Sequence, residues 1–146
     1  MARGRDKGKF YKGITLETYY SCEEIKDRLT DEYIRGLIEG EGHFGADTRS
    51  SGEKVPSFVL KMHARDKELI EGIRNYLQIH NRVYEYTHQD RHYAMLIIRD
   101  LTTLKNRIVP LFKGKLLGFK GTQFEWWLKT FPYLNSIIYR NENEIL

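Results

Sequence analysis

Four charged side chains in two short stretches are where chemistry has to be sought. Glu39 and Glu41 stand in Ile34-Arg35-Gly36-Leu37-Ile38-Glu39-Gly40-Glu41-Gly42. Lys113 and Lys115 stand in Pro110-Leu111-Phe112-Lys113-Gly114-Lys115. Carboxylates are hard oxygen donors of the kind Mg²⁺ prefers. An ammonium group can stabilise negative charge that develops in a transition state. Successive helical residues turn by about 100°, so Glu39 and Glu41 would point about 200° apart and cannot serve one site. Each group also has a plainer reading, as a solvated carboxylate or a surface-loop lysine. The five histidines show no zinc spacing. Cys22 is alone, which excludes an internal disulfide and suggests no cysteine metal site.

The acidic stretch should be a helix, and an expensive one. Each glycine inside a helix costs about 1 kcal/mol against alanine. Gly36 and Gly40 are four apart and therefore share a face. A face without side chains lets a second helix approach backbone to backbone. Ile34 and Ile38 flank that face on one side, Tyr33 and Leu37 on the other. A helix apolar nearly all round should be buried nearly all round. Gly42 supplies a stop.

The remaining elements follow in order. Ser21-Cys22-Glu23-Glu24 is a capping box for a short helix to about Leu29. Thr30 caps the next helix, 31–42, with Asp31 and Glu32 in its first turn. Alternation predicts strands at 43–49 and 55–63, joined by a Ser-Ser-Gly turn. Phe44, Ala46, Phe58, Leu60 and Met62 should face in. Gly45, Asp47, Arg49, Ser57, Val59, Lys61 and His63 should face out. Asp66 is placed to cap a helix over 67–77. Strands follow at about 82–87 and 92–98. Asp100 caps a helix over 101–109, which Pro110 interrupts or ends. A basic loop at 113–118 leads to an amphipathic helix over 120–131, which Pro132 stops.

The stretch 34–42 resembles the LAGLIDADG motif of homing endonucleases. Gly36 stands at the third place, apolar residues at the fourth and fifth, acids at the sixth and eighth, and Gly42 at the ninth. Arg35 departs at the second place, which is usually small, and Glu replaces Asp at both acidic places. The order helix, two strands, helix, two strands, helix is similar to the αββαββα fold of that family. The resemblance spans about residues 30–131.

The resemblance implies an α+β fold with an appended C-terminal helix and a two-fold dimer through the motif helix. Gly36, Gly40, Tyr33 and Leu37 would form the dimer interface. It implies that Glu41 binds the catalytic Mg²⁺, and that a lysine before the last core helix assists. That lysine maps best onto Lys115, with Lys113 as the alternative. A Gln common at the end of the second strand is replaced by Ala64. The water-organising role is therefore open to His63 or Arg65. The outward strand residues would lie in a DNA groove. Arg49, Lys61, His63, Arg65, Arg82, Tyr84 and Tyr86 are the candidate contacts. The implied activity is site-specific double-strand cleavage of a long, near-palindromic DNA site across the minor groove, by an intron-encoded homodimer. The alternative is a non-cutting intron-RNA maturase or DNA-binding regulator on the same fold.

Bulk properties agree with one domain, read as a basic arm over 1–20 and an endonuclease domain over 21–146. Five Lys and Arg against one Asp in residues 1–13 account for the whole net charge of +4. A second basic segment runs from 101 to 129, while 17–41 is acidic. Such a distribution suits a polyanionic partner, though a solvated tail and an exposed helix face would look the same. No apolar run is long enough to span a membrane and no signal-like segment follows the start, so an intracellular protein is expected.

Overall fold

The computed structural model describes residues 19–135. The arm expected at 1–20 lies almost wholly outside them. The chain forms α1 (Cys22–Arg28), α2 (Asp31–Glu41), β1 (Gly42–Thr48), β2 (Lys54–His63), a 3₁₀ turn (Ala64–Asp66), α3 (Lys67–Tyr76), β3 (Val83–His88) and β4 (Arg91–Ile98). Next come α4 (Leu101–Thr103), a π-helical stretch (Leu104–Ile108), α5 (Val109–Phe112), α6 (Phe119–Thr130) and a closing 3₁₀ turn (Pro132–Asn135). The αββαββα order is present. None of the described helices is long and apolar enough to cross a membrane.

Local signals set most boundaries. Ser21 accepts from Glu24 N–H while the Glu24 carboxylate accepts from Ser21 N–H. Thr30 accepts from Tyr33 N–H at 3.0 Å and starts α2. Asp100 accepts from Thr103 N–H at 3.1 Å and starts α4. Burial opposes ionisation of Asp100, but hydrogen bonds from Thr103 and Asn81 outweigh it and hold its pKa below the ordinary value. Asp66 differs from expectation and makes no side-chain cap. The preceding residues form a 3₁₀ turn instead, with His63 Nδ1 accepting from Arg65 N–H at 3.0 Å. Pro110 does not end its helical run. The π-helical stretch directly before it alters the hydrogen-bond spacing where proline lacks a donor, and the run continues to Phe112.

The sheet is antiparallel throughout, in the order β1-β2-β4-β3. Its inner face packs under the helices. Phe44 is the hub, with the rings of Phe58, Phe112, Phe124 and Trp127 centred 4.9 to 5.5 Å away. Ile34 and Ile38 bring α2 into this core. β1 is an edge strand, and α6 covers its free edge. Phe44 N–H donates to Gln123 Oε1 at 3.0 Å, and Trp127 Nε1–H donates to Gly45 O at 2.8 Å. An edge hidden in this way cannot template another strand.

Three residues differ in burial from what their facing suggests. Ala46 is exposed, because it lies beyond Gly45, the last β1 residue that α6 holds. Met62 is only partly buried. Ser57 belongs to the outer face but is buried, 3% exposed. It sits opposite Gly45 on β1.

Within one chain α2 is buried on one side only. Only Ile34 and Ile38 are buried; Gly36 and Gly40 are exposed, and a Cβ at either would meet nothing within 4 Å. Tyr33 is half exposed. The helix has one face in this chain's core and one face open. Gly42 also differs. It ends α2 in an extended conformation, φ −87°, and not in a left-handed turn. It has to be small because a Cβ there would fall 2.5 Å from Ile38 Cγ2.

Candidate active site and nucleic-acid interface

The two acids of α2 separate as the helical turn requires. Glu39 is committed inside the chain. Its carboxylate accepts from Leu117 N–H at 2.5 Å and from Gly118 N–H at 3.3 Å. These are free donors at the start of α6, whose N-cap residue, Gly118, has no side chain to do the task. Glu41, the last residue of α2, is exposed and has no hydrogen-bond or ion-pair partner among the described residues.

A lysine that sequence reasoning passed over completes this end of the helix. Lys120 Nζ donates to Gly42 O at 2.6 Å. The last turn of α2 contains no basic residue of its own. Its carbonyl end and two acids would otherwise accumulate negative charge, and a cation placed there offsets it. Lys120, Gln123 and Trp127 share one face of α6 at spacings of three and four, and all three bond to α2's end or to β1. That pattern was visible in the sequence, but the large apolar residues beside it suggested only a core face.

The basic loop has a defined shape. Lys115 N–H donates to Phe112 O at 3.0 Å and closes a tight turn. Lys113 is extended, φ −61° and ψ 120°, and Gly114 is left-handed, φ +72°, the dihedrals of a type II turn. Lys113 Nζ donates to Asn135 Oδ1 at 3.2 Å. Lys115 is exposed, and its ammonium has no partner among the described residues. The lysine with no role in the fold is therefore the one that the family pattern selects.

The sheet register brings most of the other candidates together. Gly42 pairs with Leu60, so Lys61 to His63 run on beside the end of α2. On the outer face one row is Lys61, Met95 and Tyr84, and the next is His63, Tyr93 and Tyr86. Lys61 Nζ lies 4.8 Å from the Tyr93 ring centre, and Tyr86 lies 5.4 Å from the same ring. Arg82 stacks 5.1 Å from Tyr84 at the edge of this patch. Arg49 is not part of it. It sits at the tip of the β1–β2 hairpin, 3.4 Å from Glu53. Arg65 lies in the 3₁₀ turn and not on a strand. Tyr93 and Arg99 were missed, although alternation from Tyr93 through Met95 and Ile97 to Arg99 puts both outward.

Glu41 fits a Mg²⁺ site. Its carboxylate is unengaged, and Mg²⁺ typically takes one or two carboxylates together with waters and phosphate oxygens. A grouping of Cys22, Glu68 and Glu71 also exists among the described residues, between α1 and α3. It is a poor match for the same ion. Glu68 Oε1 already accepts from Cys22 N–H at 2.8 Å. Burial, then the hydrogen bond with Glu23 and the neighbouring acids, raise the Cys22 pKa and keep its thiol protonated.

Comparison with known proteins decides the family. The LAGLIDADG endonuclease family model matches residues 34–131, well over half of the chain. The chain belongs to the LAGLIDADG endonuclease family. Among solved structures it is similar to the homing endonuclease I-TnaI, at 25% identity and TM-score 0.57, over 69% of this chain and 70% of that one. It is similar in fold to I-GzeII, solved in complex with a DNA target, at 20% identity and TM-score 0.64, over 94% of this chain and 46% of that one. I-LtrWI, bound to target DNA, gives 24% identity and TM-score 0.63, over 77% of this chain and 38% of that one. The LAGLIDADG chain described here thus spans less than half of the length of I-GzeII and I-LtrWI. No curated protein sequence matches it.

Proposed function

We propose that this chain is one subunit of a homodimeric, site-specific homing endonuclease that hydrolyses both strands of a long, near-palindromic DNA site with Mg²⁺. The observation that carries the reading is Glu41, exposed and unpartnered at the end of a helix whose glycine face is open. Neither feature serves the fold of one chain. A second copy laid against Gly36 and Gly40 would close the face and set two Glu41 carboxylates near one axis. The match to under half of two DNA-bound relatives supports a unit used twice.

When bound at Glu41, Mg²⁺ supplies activation of water and neutralisation of charge on the phosphate. The chain's own residues do the rest. Lys115 presents an ammonium to the charge that builds on the phosphorus oxygens. Lys113 has a weaker claim because Asn135 already holds it. Lys61, Arg82, Tyr84 and Tyr86 meet the duplex on the sheet's outer face, which suits the width of a major groove. His63 and Arg65, at the end of β2, are the groups available to orient water where Ala64 offers none. Arg49 at the hairpin tip extends the contact outward. A maturase or a regulator would require neither Glu41 nor an unpartnered Lys115.

The test is selection of cleaved sites from a random duplex library in Mg²⁺, followed by cleavage of the selected site. Double-strand cuts that vanish in EDTA support the reading. Tight binding with no cutting in any divalent metal overturns the nuclease.

A further inference from the structure

The start of α6, held against the last turn of α2, has a feature that the proposed chemistry does not use. Leu117 is 95% exposed and Phe119 is 80% exposed. From β1 to the closing turn they are the two most exposed large hydrophobic side chains, with Trp126 next at 69%. Their backbone is not loose. Glu39 holds Leu117 N–H and Gly118 N–H, and Lys120 Nζ holds Gly42 O. The pair is therefore fixed against the C-terminal end of α2, through Glu39 and Gly42, two residues beyond Lys115. Lysines bracket it, Lys115 before and Lys120 after.

We propose that Leu117 and Phe119 form an apolar wedge that enters the minor groove of duplex DNA at the cleavage centre and parts a base step there. The inference rests on the DNA-cutting reading. Its geometry follows from the alternation of grooves along B-DNA. If each subunit's sheet occupies a major groove, the duplex between the sheets turns its minor groove toward the subunit junction, where α2 ends. Apolar side chains inserted from the minor groove unstack a step and kink the duplex, at a cost of a few kcal/mol per step. Flexible pyrimidine–purine steps yield most readily. The wedge would thus select for deformable sequence at the centre without a hydrogen bond to any base.

Charge decides against a second protein chain as the occupant. A copy docked on this pair would bring its own exposed Lys115 against that of its mate. Lysine is depleted from the cores of protein interfaces. A phosphate beside the wedge gives a partner to the Lys115 ammonium, which has none among the described residues.

The test uses the library-selected duplex with 2-aminopurine at each central position in turn, in EDTA so that it stays uncut. Unstacking should raise the fluorescence of one central position several-fold on binding the wild-type protein. L117A/F119A, changing two exposed side chains, should keep its melting temperature and dimeric sedimentation and lose most of that rise. It should also lose preference for pyrimidine–purine steps at the centre. A wild-type complex that binds the duplex with no rise at any central position overturns the wedge alone. So does a double variant that keeps the full rise, or one that becomes monomeric, which would make the pair a subunit contact. If no duplex is selected or bound, the DNA-cutting reading fails first, and the wedge with it.

Discussion

The two sides of α2 are built from the same residue types and do opposite things. On one side Gly42 is small because Ile38 fills the space a side chain would need, and Glu39 caps α6. On the other, Gly36 and Gly40 face open space, and Glu41 bonds to nothing described. The comparison teaches that a glycine or a carboxylate in this helix has no fixed meaning. What lies across from it decides. The committed side is explained by folding one chain; the open side is explained only by something outside it.

Substitutions can break that contrast. Glu41→Gln should give the largest effect. Cleavage should fall by several orders of magnitude, roughly 4 kcal/mol or more in barrier height. DNA affinity in a gel-shift measurement should be kept or slightly raised as carboxylate–phosphate repulsion is removed. Normal cutting by this variant would place the metal site elsewhere. Gly40→Leu comes next. With no atom near its Cβ the subunit should fold, and the helix should gain about 1 kcal/mol in propensity. Dimerisation should be lost in sedimentation; a variant that stays dimeric would move the second copy to another surface.

The committed side should respond in stability instead. Gly42→Ala forces a Cβ against Ile38 and should cost about 1–3 kcal/mol in denaturant unfolding. Equal stability losses for Gly42→Ala and Gly36→Ala would erase the contrast between the sides. Glu39→Gln weakens the cap on α6 and should cost about 1 kcal/mol while leaving a cutting enzyme. Tyr76→Phe is the smallest. Tyr76 O–H donates to Asp31 Oδ1 at 2.8 Å, and that hydrogen bond, then burial, raises its pKa. A raised pKa means the contribution is whole below about pH 10 and fades as pH rises through the folded value. The variant should lose under about 1 kcal/mol at neutral pH and show a flatter decline in stability above pH 10.

By itself the sequence determined what depends on neighbours a few positions away. Ser21, Thr30 and Asp100 cap where their spacing to the next free N–H puts them, and the alternation of β2 and β4 reads directly as two faces. The element order and the resemblance at 34–42 were legible because glycine spacing and acid placement are local patterns. Tertiary structure decided what depends on contacts between distant segments. Glu39 found its role 78 residues away at Leu117. Ala46 lost its cover because α6 ends its hold at Gly45, and Asp66 lost its cap to a turn shaped by His63. The open face of α2 is the same lesson in its strongest form. An apolar stripe specifies burial, but only the packed chain shows which part of that burial it can supply alone.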